Sequence, residues 1–378
     1  MTSRRLVLVG VEVAHVHVLR QLARRPVADV EVVLIAPGDF HYPPMIPGYL
    51  QGQYEETELR IEISALAHAA GARLVRATAE RIDAELRVVI ASGESVHFDV
   101  CSIDIGADAA GAEVPGVARH AIALRPTSRA VELRARLLAL LAGERPLAVV
   151  VVGGGAAGME LALAIRQRVL ASPGGGSVAL VEKDTTPLPR FDPPMQRLAT
   201  DALLARGVSL ALGGRVTAVT DSMVTLHNGA ALPADLVVWS GGTAAPALIR
   251  GSGLAHDAAG YLLVDRSLRA VDGAPVWGAG GSVALRDFPG LETGGVYAVR
   301  EGPALDRSLR AALGQGRPAR YRPQRTSIVL LNTSGGWALM RWKGMHRHSR
   351  WAWRLKDMID RRFMRRHRGS DERARAPS

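Results

Sequence analysis

The sequence has a single cysteine, Cys101, among 378 residues, and that scarcity excludes whole classes of chemistry. One thiol forms no internal disulfide, no Cys-x-x-Cys redox pair and no cysteine-based zinc cage. Flavin-linked disulfide exchange and sulfide oxidation by paired cysteines are therefore out, and a reducing intracellular setting is expected. Cys101 lies in an apolar run beside Val100 and Ile103, which predicts a buried, inert thiol. No apolar stretch approaches the ~20 residues that a spanning helix needs. Arg4 and Arg5 run straight into a strand pattern with no cleavage-like segment behind them, so no secretory leader is expected. The body also lacks excess charge. Of the net +11, residues 341–378 supply most, with thirteen Arg and Lys against four Asp and Glu. A basic tail on a near-neutral body, with no base-reading motif, argues against nucleic acid as a partner.

What the chain does have is apolar content of 48% and forty glycines, enough for two or three domains rich in tight turns. It also has a repeat. "LVLVGVEVAH" (6–15) and "AVVVVGGGAAG" (148–158) are both apolar strands running into a glycine turn and then a helix. A second strand pattern follows each helix, "VEVVLIA" (30–36) and "SVALVEKD" (177–184). All-apolar rather than alternating strands fit parallel sheets covered on both faces. Later in each repeat come short hairpins with turns at Ser92–Gly93 and Asn228–Gly229, then an apolar strand ending in glycine, at Gly106 and Gly242. The fold class expected is α/β, with two Rossmann-like three-layer domains, the second inserted in the first, and a small C-terminal unit. The expected limits are 1–108 with 236–318, then 109–235, then 319–378.

The second turn satisfies G-x-G-x-x-G across Gly153-Gly154-Gly155-Ala156-Ala157-Gly158, with a strand before it and a helix after. The first glycine makes the turn, the second admits a pyrophosphate to backbone amides, and the third lets helix and strand pack. Glu182 ends the next strand, where a carboxylate takes ribose hydroxyls and repels a 2′-phosphate, favouring NADH over NADPH. Lys183 beside it weakens that preference.

These segments resemble the two-dinucleotide-domain flavoproteins of the pyridine nucleotide-disulfide oxidoreductase superfamily, type II NADH dehydrogenases in particular. The resemblance is carried by "HVHVLRQLA" (15–23), "MIPGYLQGQYEETELRIEISALAHAAGARLV" (45–75), "VVGGGAAGMELALAIRQR" (151–168), "GVYAVREGPAL" (295–305) and "WAWRLKDMIDRRFM" (351–364). It is closest to the NADH-dehydrogenase-like module fused ahead of selenide, water dikinase; with no kinase segment following, a free-standing version is expected. The resemblance implies FAD in the first domain, held at Gly10, Ala14, His15, Gly106, Gly280 and Gly281. It implies NAD(H) in the second, at Gly153, Gly155, Gly158, Glu182 and Gly242. Hydride then passes from NADH through flavin to a quinone or other small acceptor, and no side chain stands out as a catalytic acid or base.

The first turn departs from the family pattern. Val11, Glu12 and Val13 stand where relatives keep small residues, and Gly281 stands where a Gly-Asp pair holds the ribityl chain. A carboxylate ~4 Å from a phosphate charge at an effective dielectric of ~20 costs about 4 kcal/mol, nearly three decades of affinity. Glu12 is alternatively expected to cap the helix N-terminus itself, standing in for the phosphate. A flavin-free descendant, acting as an NAD(H)-binding sensor or membrane-associated partner, is therefore the competing reading.

Other positions carry two readings each. His15 and His17 flank the turn, but two apart on a helix they share no face, so packing is expected and no metal site. His41-Tyr42-Pro43-Pro44 reads either as a rim where flavin and acceptor meet or as a proline turn. Thr293 aligns near the flavin's pyrimidine end in relatives, and its role is open. In residues 350–366, Trp351, Ala352, Leu355, Met358, Ile359 and Phe363 fall on one side of a helix and Arg350, Arg354, Arg361 and Arg365 on another. This describes an interfacial helix on anionic lipid, or a helix packed on the body or on a second copy of the chain. The expected location is the cytoplasm, at the inner face of the cell membrane.

Overall fold

The computed structural model describes residues 4–291, 295–324 and 326–367. Two five-stranded sheets dominate it, and every pairing within them is parallel. In the first, Arg4–Val9 lies between Val30–Ile35 and Val100–Ile103, with Ala72–Val75 and Val276–Gly278 at the edges. Leu6, Val7 and Leu8 are wholly buried because helices and loops cover both faces of the sheet. In the second, Leu147–Val152 lies between Gly176–Glu182 and Leu236–Trp239, with Val208–Leu212 and Ala121–Ala123 outside.

The two sheets repeat one plan. The strand that feeds the glycine turn is central, the next strand in sequence flanks it, and the strand after the hairpins closes the other side. Each repeat also carries a three-stranded antiparallel sheet, Ala79–Asp83 with Val88–Ala91 and Glu94–His97, and Val216–Val219 with Met223–Leu226 and Ala231–Pro233. Ser92 and Gly93 both take positive φ, 51° and 73°, the pair of left-handed residues a tight hairpin turn demands.

The expected domain limit at 235 falls just before Leu236–Trp239, yet that strand belongs to the second sheet: Val238 pairs with both Ile122 and Val151. An apolar strand ending in glycine reads identically in either domain, and only its partners assign it. The chain crosses between the domains at a two-stranded antiparallel link, Asp108–Ala109 against Thr243–Ala244.

The C-terminal unit is a three-stranded antiparallel sheet, Val329–Asn332, Ala338–Trp342 and Met345–Ser349, followed by the helix Arg350–His367. It is fastened to both domains. Arg206 Nη2 donates to Ser334 O and His346 pairs with Asp192, both on the second domain. Toward the first, Lys356 Nζ donates to Pro44 O and to Asp360 Oδ2, each at 2.7 Å, and Tyr42 stacks on Phe363 with ring centroids 4.2 Å apart.

The helix does not present the face the sequence suggests. Ala352 and Phe363 turn inward with Lys356, Asp360 and Met364, while Trp351, Met358 and Ile359 stay outside, exposed by 59%, 55% and 39%. A buried Lys–Asp pair four residues apart places two charged residues on the docked face, and apolar periodicity has no means of anticipating that.

Candidate functional site

Both glycine turns form, with the same backbone device. Gly10 and Gly153 take φ of 83° and 102°, and their N–H groups donate to Ile35 O and Val181 O, each at 2.8 Å. A side chain at either would meet backbone: a Cβ lies 2.6 Å from Asp104 O at Gly10 and 2.1 Å from Ser240 O at Gly153. Strand, turn and helix are thereby locked in a cradle at each site.

In the second cradle the helix Ala156–Leu170 starts at Gly155 with no side chain capping it. A Cβ at Gly155 would meet nothing within 4 Å, so the approach to the first-turn amides is open. At Gly158 the same atom would lie 1.7 Å from Gly153 O, which is the close helix–strand packing that the third glycine permits. Glu182, buried, sits behind the turn: its Oε2 accepts from Gly154 N–H at 2.5 Å and its Oε1 from Asp184 N–H at 3.0 Å. Leu188 N–H bonds back to Gly154 O at 2.8 Å, closing the loop over the cradle.

The first cradle is built differently at the corresponding points. His15 replaces the third glycine, and its ring is wholly buried. Nδ1–H donates to Gly10 O at 2.7 Å and Nε2 accepts from Ser102 Oγ at 2.8 Å. Burial holds its pKa down to about 4, so the ring is neutral and committed to the turn rather than free to shuttle protons. His17 packs instead on Gly302 of the helix Val296–Ala312, where a Cβ would lie 2.9 Å from that of His17. No group of His, Cys, Asp and Glu among the described residues has the arrangement of a metal site.

The helix Val13–Arg24 is capped from outside its own sequence. Asp104, fully buried at the end of Val100–Ile103, accepts His15 N–H on Oδ2 at 2.8 Å and also takes the Ala14 amide. Its Oδ1 has no partner. Glu12 is the N-cap residue by backbone but makes no side-chain cap bond; its carboxyl lies over Gly106, 3.5 Å from where a Cβ would stand. The expectation that Glu12 caps the helix thus gives way to Asp104, which reaches the amides from the neighbouring strand. Burial pushes the Glu12 carboxyl up to about 7 against the attraction of Arg125. Asp104 is raised well above the usual range by burial and then by Glu12. Glu301, also fully buried, is pushed up to about 8 by burial while accepting Gly280 N–H at 2.6 Å.

The two altered positions of this cradle are neighbours. Gly281 faces the same Gly106 that Glu12 covers, its built Cβ falling 3.4 Å from Gly106 C and 3.2 Å from Ala107 N. Sequence reading missed Asp104 and Glu301, though an acid closing an otherwise apolar strand is a legible signal. Glu160 was missed too; buried in the helix Ala156–Leu170, it accepts Asn332 N–H at 2.6 Å, and burial pushes it to about 7. Gly106 and Gly242 flank the interdomain link, with Ala110 N–H bonded to Gly242 O at 3.2 Å.

The stretch His41–Pro44 is covered by the C-terminal helix through Tyr42 and Pro44, so it serves docking of that unit. Cys101 is buried in its strand and burial pushes its thiol up, which matches the inert thiol expected. Thr293 lies outside the described residues.

A family model described as pyridine nucleotide-disulphide oxidoreductase matches residues 4–301. An NADH dehydrogenase-like protein of Mycobacterium tuberculosis (strain CDC 1551 / Oshkosh) is 30% identical over 298 residues, covering 74% of this chain and 72% of its own. Demethylphylloquinone reductase NdbB of Synechocystis sp. is 26% identical over 282 residues, 72% of this chain and 69% of its own. Among solved structures, NDH2 from Plasmodium falciparum in complex with NADH superposes with a TM-score of 0.83 at 13% identity, covering 97% of each chain.

Proposed function

Because this chain belongs to the pyridine nucleotide-disulphide oxidoreductase family and is an NAD(P)H oxidoreductase, we propose that it oxidises NADH at the second cradle and reduces a quinone-like acceptor by way of FAD in the first. The observation that carries this reading is the duplicated cradle, whose second copy keeps an open helix N-terminus at Gly155 braced from behind by Glu182. The names of the mycobacterial and cyanobacterial relatives support NADH and quinone as substrates. A single buried cysteine removes disulphide reduction from what this member does.

In the second cradle the free amides of the helix Ala156–Leu170 would take the pyrophosphate of NADH, with Gly155 and Gly242 leaving room for it and Gly153 and Gly158 holding turn and helix close. Glu182 still has lone pairs to offer the ribose hydroxyls, and its charge would exclude a 2′-phosphate. In the first cradle Gly10, Ala14, Gly106, Gly280 and Gly281 would hold FAD. The frame fits the group, because Gly10, Gly106 and Gly280 all keep the positive φ that such close-approach turns use. The carboxyl of Glu12, near 7, is about half neutral at neutral pH, which removes much of its clash with a phosphate. FAD, when bound, supplies the two-electron store between nicotinamide and acceptor. His15 fixes Gly10 from behind the turn, and Asp104 bonds the first amides of the helix.

The surface of the C-terminal unit supports a reading in which it contacts a membrane. Trp351, Met358 and Ile359 on its helix, with Trp342 and Met345 on its sheet, are exposed, and Arg350, Arg354, Arg362 and Arg365 lie on the same helix. No helix among the described residues is long and apolar enough to cross a membrane.

Two carboxyls at the first helix start, Glu12 and Asp104, favour one second reading, a flavin-free NAD(H)-binding protein. The visible spectrum of the purified protein separates the two. A flavin band that bleaches on anaerobic addition of NADH is expected. Colourless protein that still quenches NADH fluorescence after incubation with FAD establishes the second reading instead.

A further inference from the structure

The outer face of the helix Val296–Ala312 and the segment 320–324 beside it line an open hollow of about 490 Å³ that neither cradle uses. All its charged lining is of one sign: Arg300, Arg307, Arg320 and Arg322, with no Asp or Glu. None of these four has an ion-pair partner among the described residues. The nearby acids are engaged elsewhere, Asp306 by Arg310 and Asp287 by Arg266 and Arg286, while Glu301 turns inward to Gly280.

The spacing of the four is set by the backbone. Arg300 and Arg307 are seven apart on one helix, so they share a face about 10 Å apart along the axis. Arg320 and Arg322 are exposed on either side of buried Tyr321. Tyr321, 7% exposed, points inward, and its hydroxyl has no hydrogen-bond partner. Gln324, also lining the cavity, has both ends of its amide shut from solvent and unpartnered. Forked guanidinium donors on two sides of a concave site suit phosphate oxygens in particular.

We infer that this cavity binds a small ligand carrying two or more phosphate groups, gripped between Arg300/Arg307 on the helix and Arg320/Arg322 on the facing segment. The ligand is a soluble oligophosphate or the headgroup of a phosphorylated lipid. Binding here is independent of what occupies either cradle.

The test uses the full chain with saturating FAD and NADH, at about 0.1 M salt. Tripolyphosphate is titrated by calorimetry, and phosphatidylcholine vesicles with and without a bisphosphorylated phosphoinositide are sedimented with the protein. The variants are Arg307→Gln with Arg322→Gln, the charge-preserving Arg307→Lys with Arg322→Lys, and a remote control, Arg119→Gln with Arg136→Gln; all four positions are exposed, so folding is expected to survive. The glutamine pair is expected to weaken binding about tenfold or more, the lysine pair several-fold, and the control less than about twofold. The probe that shows this pattern identifies the source as free phosphate or lipid. Equal losses in the glutamine pair and the control, an unchanged lysine pair, or no saturable binding of either probe overturns the proposal.

Discussion

The two cradles share a backbone and differ in where they put their carboxylates. In the second, the acid stands behind the turn: Glu182 follows Val181, whose carbonyl accepts from Gly153, and it braces Gly154 from beneath. The corresponding residue in the first is Ala36, which follows Ile35, the acceptor from Gly10. There the acids stand in front instead, with Asp104 on the first amides of the helix and Glu12 over Gly106. A helix N-terminus attracts one anion strongly and has little left for another once its first amides are bonded. The second cradle therefore leaves its N-terminus without a side-chain cap, whereas the first has partly satisfied its own. The same fold element thus has an uncapped or a partly capped N-terminus, depending on where its carboxyls stand.

The most damaging way to break this comparison is at Gly158. A methyl there would sit 1.7 Å from Gly153 O and 2.9 Å from Gly153 C, backbone atoms that cannot swing aside. Gly158→Ala is expected to cost about 4 kcal/mol of stability or more and to abolish NADH binding, read by denaturant unfolding and NADH fluorescence. A cleaner transplant moves the first cradle's acid into the second. Gly155 has φ of −66° and open space around its built Cβ, so Gly155→Asp is expected to fold normally. It should nonetheless weaken NADH binding by nearly three decades, the ~4 kcal/mol of a carboxylate beside a phosphate. Unaltered NADH affinity in that variant would remove carboxylate position as the distinction between the cradles.

Much of this was readable from the chain, and the exceptions have physical causes. The twin strand–turn–helix units, the hairpins and the buried Cys101 follow from apolar runs and glycines, which are local signals. The limit expected at 235 differs from the sheet because strand pairing is long-range: nothing local says that Leu236–Trp239 joins Leu147–Val152. Apolar periodicity predicts one face for the C-terminal helix, yet its docked face is set by Lys356 reaching Pro44 O some three hundred residues earlier. Likewise Glu12 and Gly281 look like separate losses in sequence and meet at Gly106 in space.

The buried acids of the first cradle leave a trace in stability. Glu301 is raised to about 8 from an ordinary carboxylate value near 4.5, so the folded state holds its proton more tightly than the unfolded chain. Its contribution is complete at acid pH and is lost as pH rises from about 4.5 through about 8, on the order of 5 kcal/mol in all. Glu301→Gln, which keeps an acceptor for Gly280 N–H, is expected to flatten that decline and raise the melting temperature at pH 8. A decline of equal slope in the variant would assign the pH dependence to Glu160 and the other raised acids.

The smallest expected effect sharpens the comparison most directly, because it concerns one charge. Glu12 faces Asp104 and Arg125, and its carboxyl near 7 ionises across the neutral range. Below pH 7 the group is neutral and phosphate is tolerated; above it, the added charge opposes phosphate. FAD affinity should therefore fall between pH 6 and pH 8, by about tenfold once Arg125 has offset part of the repulsion. Glu12→Gln should bind FAD equally at both pH values, matching the native protein at pH 6 and exceeding it at pH 8. The backbone at this position is extended, φ −112° and ψ −169°, so the substitution adds no strain. Quenching of FAD fluorescence reads the affinity without any turnover. A pH profile shared by native protein and variant would place the titrating charge elsewhere, with Asp104 the next carboxyl in contact with the helix start.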